Sequence, residues 1–177
     1  MELNILDWFQ TLHTPILDKI MTSITKLGDA GIIWIFLTIL LLILPKMRKY
    51  GLAMLVGLCI DVIVCNGLLK NLVARTRPCD VNTAIQLLIS HPTDYSFPSG
   101  HTAASFTAVA ALYFSGDKKI WKAAIVLGIL IAFSRMYLYV HYPTDILGGA
   151  LIGIFSGFVG AKIVCYIMKK RKMKQII

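Results

Sequence analysis

Five stretches of the chain are almost continuously apolar, at roughly Ala30–Leu44, Gly51–Leu69, Thr102–Phe114, Ala123–Phe133 and Ile146–Met168. The hydrocarbon core of a bilayer takes about 20 residues of helix, within a range of about 17–25. Several of these runs are shorter than that unless their polar flanks also enter the membrane. A sixth, weaker stretch, around Ile5–Lys26, contains Asp18 and Lys19, while Ile16, Leu17, Ile20, Met21 and Ile24 recur at helical spacing. It reads as a spanning helix with its polar face turned inward, or as an amphipathic helix on the surface. Between Cys79 and Phe97 lies the longest polar interruption. Its apolar middle, Ile85–Ser90, reads either as a short interfacial helix or as a loop.

Charge changes this picture by giving it an orientation. Lys46, Arg48 and Lys49 follow the first apolar run, Lys118, Lys119 and Lys122 follow the third, and Lys169, Lys170, Arg171, Lys172 and Lys174 close the chain. Alternating crossings bring all three clusters to one side, which the positive-inside rule makes cytoplasmic. Six spans, with residues 5–26 crossing, would place the N-terminus there too; five would leave it outside. Six is the expected number. Gly149, Gly153 and Gly157 recur every four residues along the last run, with Gly160 beyond them, a pattern that suits close helix packing in lipid.

Composition agrees with a membrane protein. Of 177 residues, 57% are hydrophobic and 15% charged, against about 25% charged in an average soluble domain. The length suits one domain, here residues 1–177. The net charge of +9 sits in clusters between apolar runs, which argues against a nucleic-acid partner. The start, MELNILDWFQ, lacks the basic leader of a signal peptide. Cys59, Cys65, Cys79 and Cys165 show neither a metal-ligand spacing nor a disulfide framework.

Three polar segments stand out against the apolar background, all on the side opposite the basic clusters. Charge inside a membrane helix is costly and marks a site, a partner or water. Lys70, Arg75 and Arg77 crowd the end of the second run, just before Pro78; they suit a site, or a headgroup met by snorkelling side chains. Pro98-Ser99-Gly100-His101 precedes the third run. Ser99 reads as an N-cap, the helix start offers free N–H groups to an anion, and His101 could donate a proton. Arg135 ends the fourth run, and His141 stands four residues before Asp145, with Pro143 as a helix start between them. That spacing lets the carboxylate reach the imidazole Nδ1, leaving Nε2 free to attack. Taken singly, each segment has a bland structural alternative. Together they supply cations, a helix N-terminus, an acid and an oriented base or nucleophile, a set suited to a phosphate group. The carboxylates are too scattered for a magnesium site and the histidines lack zinc spacing, so catalysis is expected without metal or other cofactor.

The order K-x6-RP, PSGH, SR-x5-H-x3-D resembles the three-part signature of the type 2 phosphatidic acid phosphatase (PAP2) superfamily. Here it runs Lys70 to Arg77-Pro78, Pro98 to His101, and Ser134-Arg135 to His141 and Asp145. The resemblance implies an all-α, integral membrane six-helix bundle of the PAP2 and vanadium haloperoxidase type. It implies that His141 is a nucleophile forming a phosphohistidine, Asp145 its orienting partner and His101 the acid. Lys70, Arg77, Ser99, Gly100 and Arg135 would hold the phosphate oxygens. The expected activity is a lipid phosphatase facing away from the cytoplasm, with undecaprenyl diphosphate preferred as substrate. Phosphatidylglycerophosphate or phosphatidic acid, or phosphotransfer through the same site, are the alternatives. A non-catalytic lipid-binding or transport component is a further, weaker reading. Arg75 lies outside the signature. Asp61 and Asn66 have no assigned role, His13 and His91 read as interfacial, and the oligomeric state is open.

Overall fold

The computed structural model describes residues 1–174, with side chains as far as Arg171; Lys172 and Lys174 of the terminal basic cluster lie beyond the described side chains. Among the described residues nine α-helices follow one another: α1 (Glu2–Gln10), α2 (Pro15–Gly28), α3 (Ile32–Ile43), α4 (Arg48–Asp61), α5 (Lys70–Val73), α6 (Pro78–Val81), α7 (Gly100–Ser115), α8 (Ile120–Tyr137) and α9 (Pro143–Lys174). A π-helical segment, Val62–Leu69, joins α4 to α5 in one continuous rod. Such wider turns tend to occur at functional sites.

The bundle is built around α7. Ten of its residues are buried, among them Ala103, Ala108, Ala110 and Ala111, so neighbours close on it from several sides. It packs on α9 and α8, and α4 packs on both α7 and α9. Glycines make these approaches possible. A Cβ on Gly153 would lie 2.3 Å from the Ala103 carbonyl oxygen, and one on Gly160 would lie 2.5 Å from the Gly57 nitrogen. The four-residue glycine pattern of α9 is therefore the face on which α7 rests, and Gly160 continues it onto α4. Outward, large apolar side chains such as Ile63, Leu147, Leu151 and Phe155 are exposed. An apolar exterior over a packed interior is the arrangement of a bundle whose solvent is lipid.

Four helical segments are long and apolar enough to cross a membrane: Pro15–Ile43, Pro45–Val81, Ile120–Tyr137 and Pro143–Arg171. The protein is a multi-pass membrane protein. The N-terminal region differs from the six-span expectation. α2 and α3 count as one bent helix of 29 residues, broken at Asp29–Gly31, where Ala30 and Gly31 take positive φ. α2 runs down α8, with Thr25 bonded to Arg135, while α3 continues along α4. Residues 15–26 thus fall in the same candidate span as α3, Pro15–Ile43. α1 lies at the end of the bundle that carries Arg75, because Glu2 pairs with Arg75 at 2.6 Å. Its apolar face, Leu6 and Phe9, is buried against Tyr139 and Tyr142. Asp18, one of the polar residues that weakened this stretch as a membrane span, accepts from Tyr137, and Asp7 accepts from Tyr139.

Ile85–Ser90 is irregular rather than helical. Leu87 and Ile89 pack on a cluster of Met21, Cys79, Tyr137 and Leu138, so its apolar residues anchor a loop.

Filling the α7–α9 contact should be costly, whereas a methyl added at Gly67 meets nothing closer than 3.7 Å. Overpacking of this kind costs about 1–3 kcal/mol, and each kcal/mol lowers a melting temperature by about 2–4 °C at this chain length. Gly153→Leu is expected to melt several degrees below the native protein in detergent, and Gly67→Ala to melt with it.

Candidate active site

The sequence-predicted residues come from four places in the chain and meet at one end of the bundle. Lys70 opens α5 directly after the π-helical segment. Ala74 then takes φ 47° and ends that helix, which turns Arg75 and Arg77 across the bundle end. Arg77 is only 2% exposed and donates from every part of its guanidinium: Nε to the Asp94 carbonyl oxygen (2.8 Å), Nη1 to that of Val140 (2.7 Å) and Nη2 to Asp94 Oδ1 (2.6 Å). Lys70 Nζ donates to Asp94 Oδ2. Arg135, from the last turn of α8, donates Nη1 to Thr25 Oγ1 at 2.6 Å. Its buried Nε has no partner among the described residues. Lys70, Arg77 and Arg135 all line one cavity with His101, His141 and Gly100.

His141 is 1% exposed and follows a strained bend, in which Tyr139 takes φ 61°. The buried Tyr139 ring and its bond to Asp7 hold that bend. Arg77 Nη1 faces His141 Nε2 at 3.2 Å. A guanidinium has donors only, so Nε2 is the lone-pair nitrogen and the imidazole proton sits on Nδ1. Nδ1 faces Asp145 Oδ2 at 3.5 Å, longer than an ordinary hydrogen bond. Asp145 is meanwhile held by other donors: Ser96 Oγ (2.5 Å) and the Tyr142 amide (2.9 Å) on Oδ2, and Arg75 (2.7 Å) on Oδ1. The geometry therefore selects the expected tautomer and places the carboxylate on the correct side. Contacts between an imidazole and its orienting carboxylate often tighten only when substrate is bound.

Ser99 stands at the N-cap position of α7 but makes no capping bond with its side chain. It accepts from Thr102 Oγ1 (3.0 Å) instead, and its amide donates to the Asp145 carbonyl (3.1 Å). This differs from the expected cap and leaves the α7 N-terminus with free amides. A Cβ on Gly100 would sit 3.1 Å from Asn66 Oδ1 and 3.9 Å from Lys70 Nζ, so the helix start and the lysine share one corner. His101 Nε2 lies 2.9 Å from Asp29 Oδ1, at the break between α2 and α3.

Four further polar residues belong to this constellation without belonging to the three motifs. Asp94 bridges two of the cations. Ser96 holds Asp145, and Asp29 pairs with His101. Arg75 binds Asp145, Glu2 and Thr144 while its guanidinium stacks on the Tyr142 ring at 3.8 Å. Arg75 was visible as an extra cation; the other three gave no periodic or spacing signal. His91, read as interfacial, pairs with Asp80 at 2.8 Å and lies 3.9 Å from Cys79 Sγ. These three donors could hold a metal ion, though no sequence spacing suggested one, and the ion pair by itself pins the loop to α6.

The whole cavity measures about 750 Å³, and below the charged corner it continues as an apolar cleft bounded by Ile35, Ile39, Leu55 and Leu58 of α3 and α4. Asp61 and Asn66 also line it. Asp61 Oδ1 is buried without a partner among the described residues.

Burial, with Arg77 and Arg135 nearby, pushes the His141 imidazole down to about 3, despite the opposing pull of Asp145. Burial raises Asp94, but Lys70 and Arg77 outweigh it and bring the carboxyl down to about 2. Both values lie below those of the unfolded chain, about 6.5 for His and 3.9 for Asp. Between each pair of values the unfolded state binds the extra proton, so stability rises with pH there and is lost on acidification. Melting temperature is expected to fall as pH drops from 6.5 toward 3. His141→Gln is expected to flatten that slope by up to one proton, and equal slopes would refute the buried neutral imidazole.

Residues 46–171 match the PAP2 superfamily. An undecaprenyl-diphosphatase of Sulfolobus acidocaldarius is 34% identical over 83% of this chain and 70% of that protein. The crystal structure of Aquifex aeolicus LpxE superposes with a TM-score of 0.77 at 31% identity, over 91% of this chain and 94% of that one. A PAP2-type phosphatidylglycerolphosphate phosphatase from Bacillus subtilis gives 0.73 at 28% identity, over 96% and 85%. The fold, the three motifs and these likenesses agree: the chain belongs to the PAP2 superfamily and is a membrane phosphatase.

Proposed function

We propose that this protein hydrolyses the terminal phosphate of a membrane lipid on the non-cytoplasmic face, through a phosphohistidine on His141, with residues 1–177 acting as one domain. The observation that carries the reading is the meeting of Lys70, Arg77 and Arg135 around His141 at the mouth of an apolar cleft. Cations would hold the phosphate while the cleft takes the start of the lipid tail. The basic clusters at Lys46–Lys49 and Lys118–Lys122 lie at the opposite end of the bundle, where Lys49 Nζ is close to Gly116. The positive-inside rule then turns the site outward.

In this mechanism the Nε2 lone pair of His141 attacks phosphorus as the bond to the leaving oxygen breaks. Lys70, Arg77, Arg135 and the amides of Ser99 and Gly100 stabilise the charge on the equatorial oxygens. Asp145, across from Nδ1, stabilises the cationic phosphoimidazole. His101, held by Asp29, is the proton donor to the leaving oxygen. It then takes a proton from the water that attacks phosphorus and returns His141 to its neutral form. All of these are side chains or amides of the chain itself, so the step calls for no metal.

Undecaprenyl diphosphate is the preferred substrate, supported by the undecaprenyl-diphosphatase relative and by a cleft bounded mainly by aliphatic residues. Phosphatidylglycerophosphate is the alternative, supported by the Bacillus subtilis neighbour. The test is phosphate release from both lipids, in detergent with a chelator present. Native protein is expected to stay active, His141→Ala to lose activity, and His101→Asn to slow by about 10²–10⁴-fold, the usual worth of a general acid. Activity that persists in His141→Ala would refute the mechanism. Release from the diacylglycerol lipid alone would move the substrate assignment.

A further inference from the structure

One carboxylate of the site has no part in the chemistry above. Asp94 lies in the loop before α7 and takes Lys70 on one oxygen and Arg77 on the other. A two-oxygen anion bridging an ammonium and a guanidinium presents what a phosphate would present to the same donors. Asp94 therefore stands where two phosphate oxygens are expected to bind.

Its attachment allows it to yield. The main chain is held independently, because Arg77 Nε donates to the Asp94 carbonyl and the Ser96 amide donates to the Arg75 carbonyl at 2.8 Å. The carboxylate can turn away while the loop stays in place. The Asp94 side chain is also 52% exposed, against 10% for Lys70 and 3% for Arg77. The anion has a route to water, whereas the cations are fixed.

Resting on the lipid-phosphatase reading, we propose that Asp94 is a specificity-determining residue, an internal competitor that turns away phosphodiester headgroups and yields to a terminal phosphate. The selection is one of charge. A site that opens into the bilayer through an apolar cleft meets ordinary phospholipids in great excess, and each of their diester phosphates carries one negative charge. Such a headgroup gains from Lys70 and Arg77 no more than Asp94 already supplies, and it must leave the displaced carboxylate close by. A terminal phosphate carries up to two charges and a third free oxygen, and Coulomb attraction grows with that charge. It can also use Arg135, whose Nε is buried without a partner among the described residues. Only this ligand gains enough to displace the carboxylate.

The test measures phosphate release from undecaprenyl diphosphate and phosphatidic acid in detergent micelles, at constant substrate mole fraction, as dioleoylphosphatidylglycerol is added. Native protein is expected to keep its rate. Asp94→Asn retains the shape without the charge. It is expected to be inhibited at a mole fraction of phosphatidylglycerol lower by about tenfold or more, the scale of removing one like charge from an anion site. Its Ki for inorganic phosphate is expected to fall as well. Asp94→Ser gives a second uncharged variant with the same expectation, and Asp94→Glu is expected to stay resistant. Uncharged variants as resistant as the native protein would overturn the proposal while leaving the phosphatase reading intact. A raised Ki for phosphate would also overturn it, making Asp94 a brace for Lys70 and Arg77. Native protein that releases phosphate from neither lipid would overturn both.

Discussion

Three cations held close together in a largely buried corner set the terms for the rest of this structure. Lys70, Arg77 and Arg135 are each less than a tenth exposed, and their mutual repulsion is poorly screened where water is scarce. Such a cluster persists only when its charges are held by counter-charges and hydrogen-bond acceptors. The partners account for much of the architecture at this end of the bundle. Asp94 lies across Lys70 and Arg77. Main-chain carbonyls of Asp94 and Val140 take the remaining Arg77 donors, and Thr25 of α2 takes Arg135. Burial, with two of these cations, Arg77 and Arg135, favours a neutral His141, the form the proposed nucleophile needs. Binding capacity for an anion and a reactive imidazole thus come from one arrangement.

How the cations are delivered depends on helix packing far from the site. The glycine face of α9 lets α7 lie against it with almost no side chain between. This fixes the start of α7, with Gly100 and His101, beside the start of α9, with Asp145; the amide of Ser99 bonds the Asp145 carbonyl directly. The π-helical segment before Lys70 has a related consequence. It alters the turn of the rod at the cleft wall, so that Asn66 and Lys70 both border Gly100. Close packing and a local departure from α-helical geometry together bring motifs separated by tens of residues to the same anion.

The parts of the site that were legible in the sequence are those whose residues act within short segments. His141 and Asp145 share one turn, Ser99 to His101 open one helix, and Lys70 to Arg77 close another. A residue pattern can report each of these because spacing alone determines the geometry. Asp29 with His101, Glu2 with Arg75 and Asp94 with Lys70 are contacts between distant segments, and no local spacing encodes them. The bent join of α2 to α3 escaped the pattern for a similar reason. Asp18 read as part of the polar face of a span, whereas it accepts from Tyr137, more than a hundred residues away, as Asp7 accepts from Tyr139. Ser99 shows the converse, a residue type that favours a cap but is used by Thr102 instead.

The length of α7 links the chemistry to the membrane. Its 16 residues span about 24 Å at the α-helical rise, less than the roughly 30 Å of a bilayer's hydrocarbon core. With its C-terminal end beside Lys118 and Lys119 at one interface, its N-terminus lies short of the other. In the outward-facing reading proposed above the site would sit below the headgroup layer, beside the packing of α1 on Tyr139 and Tyr142. At that depth the low local dielectric would strengthen each cation–phosphate contact, and the apolar cleft between α3 and α4 would take the tail. The polar residues near the site end therefore serve two purposes. Arg75 illustrates this, since it joins Glu2 of the covering helix to the catalytic-site carboxylate Asp145 through a pair of ion pairs at 2.6 and 2.7 Å. Arg75 therefore ties α1 to the carboxylate that faces His141 Nδ1.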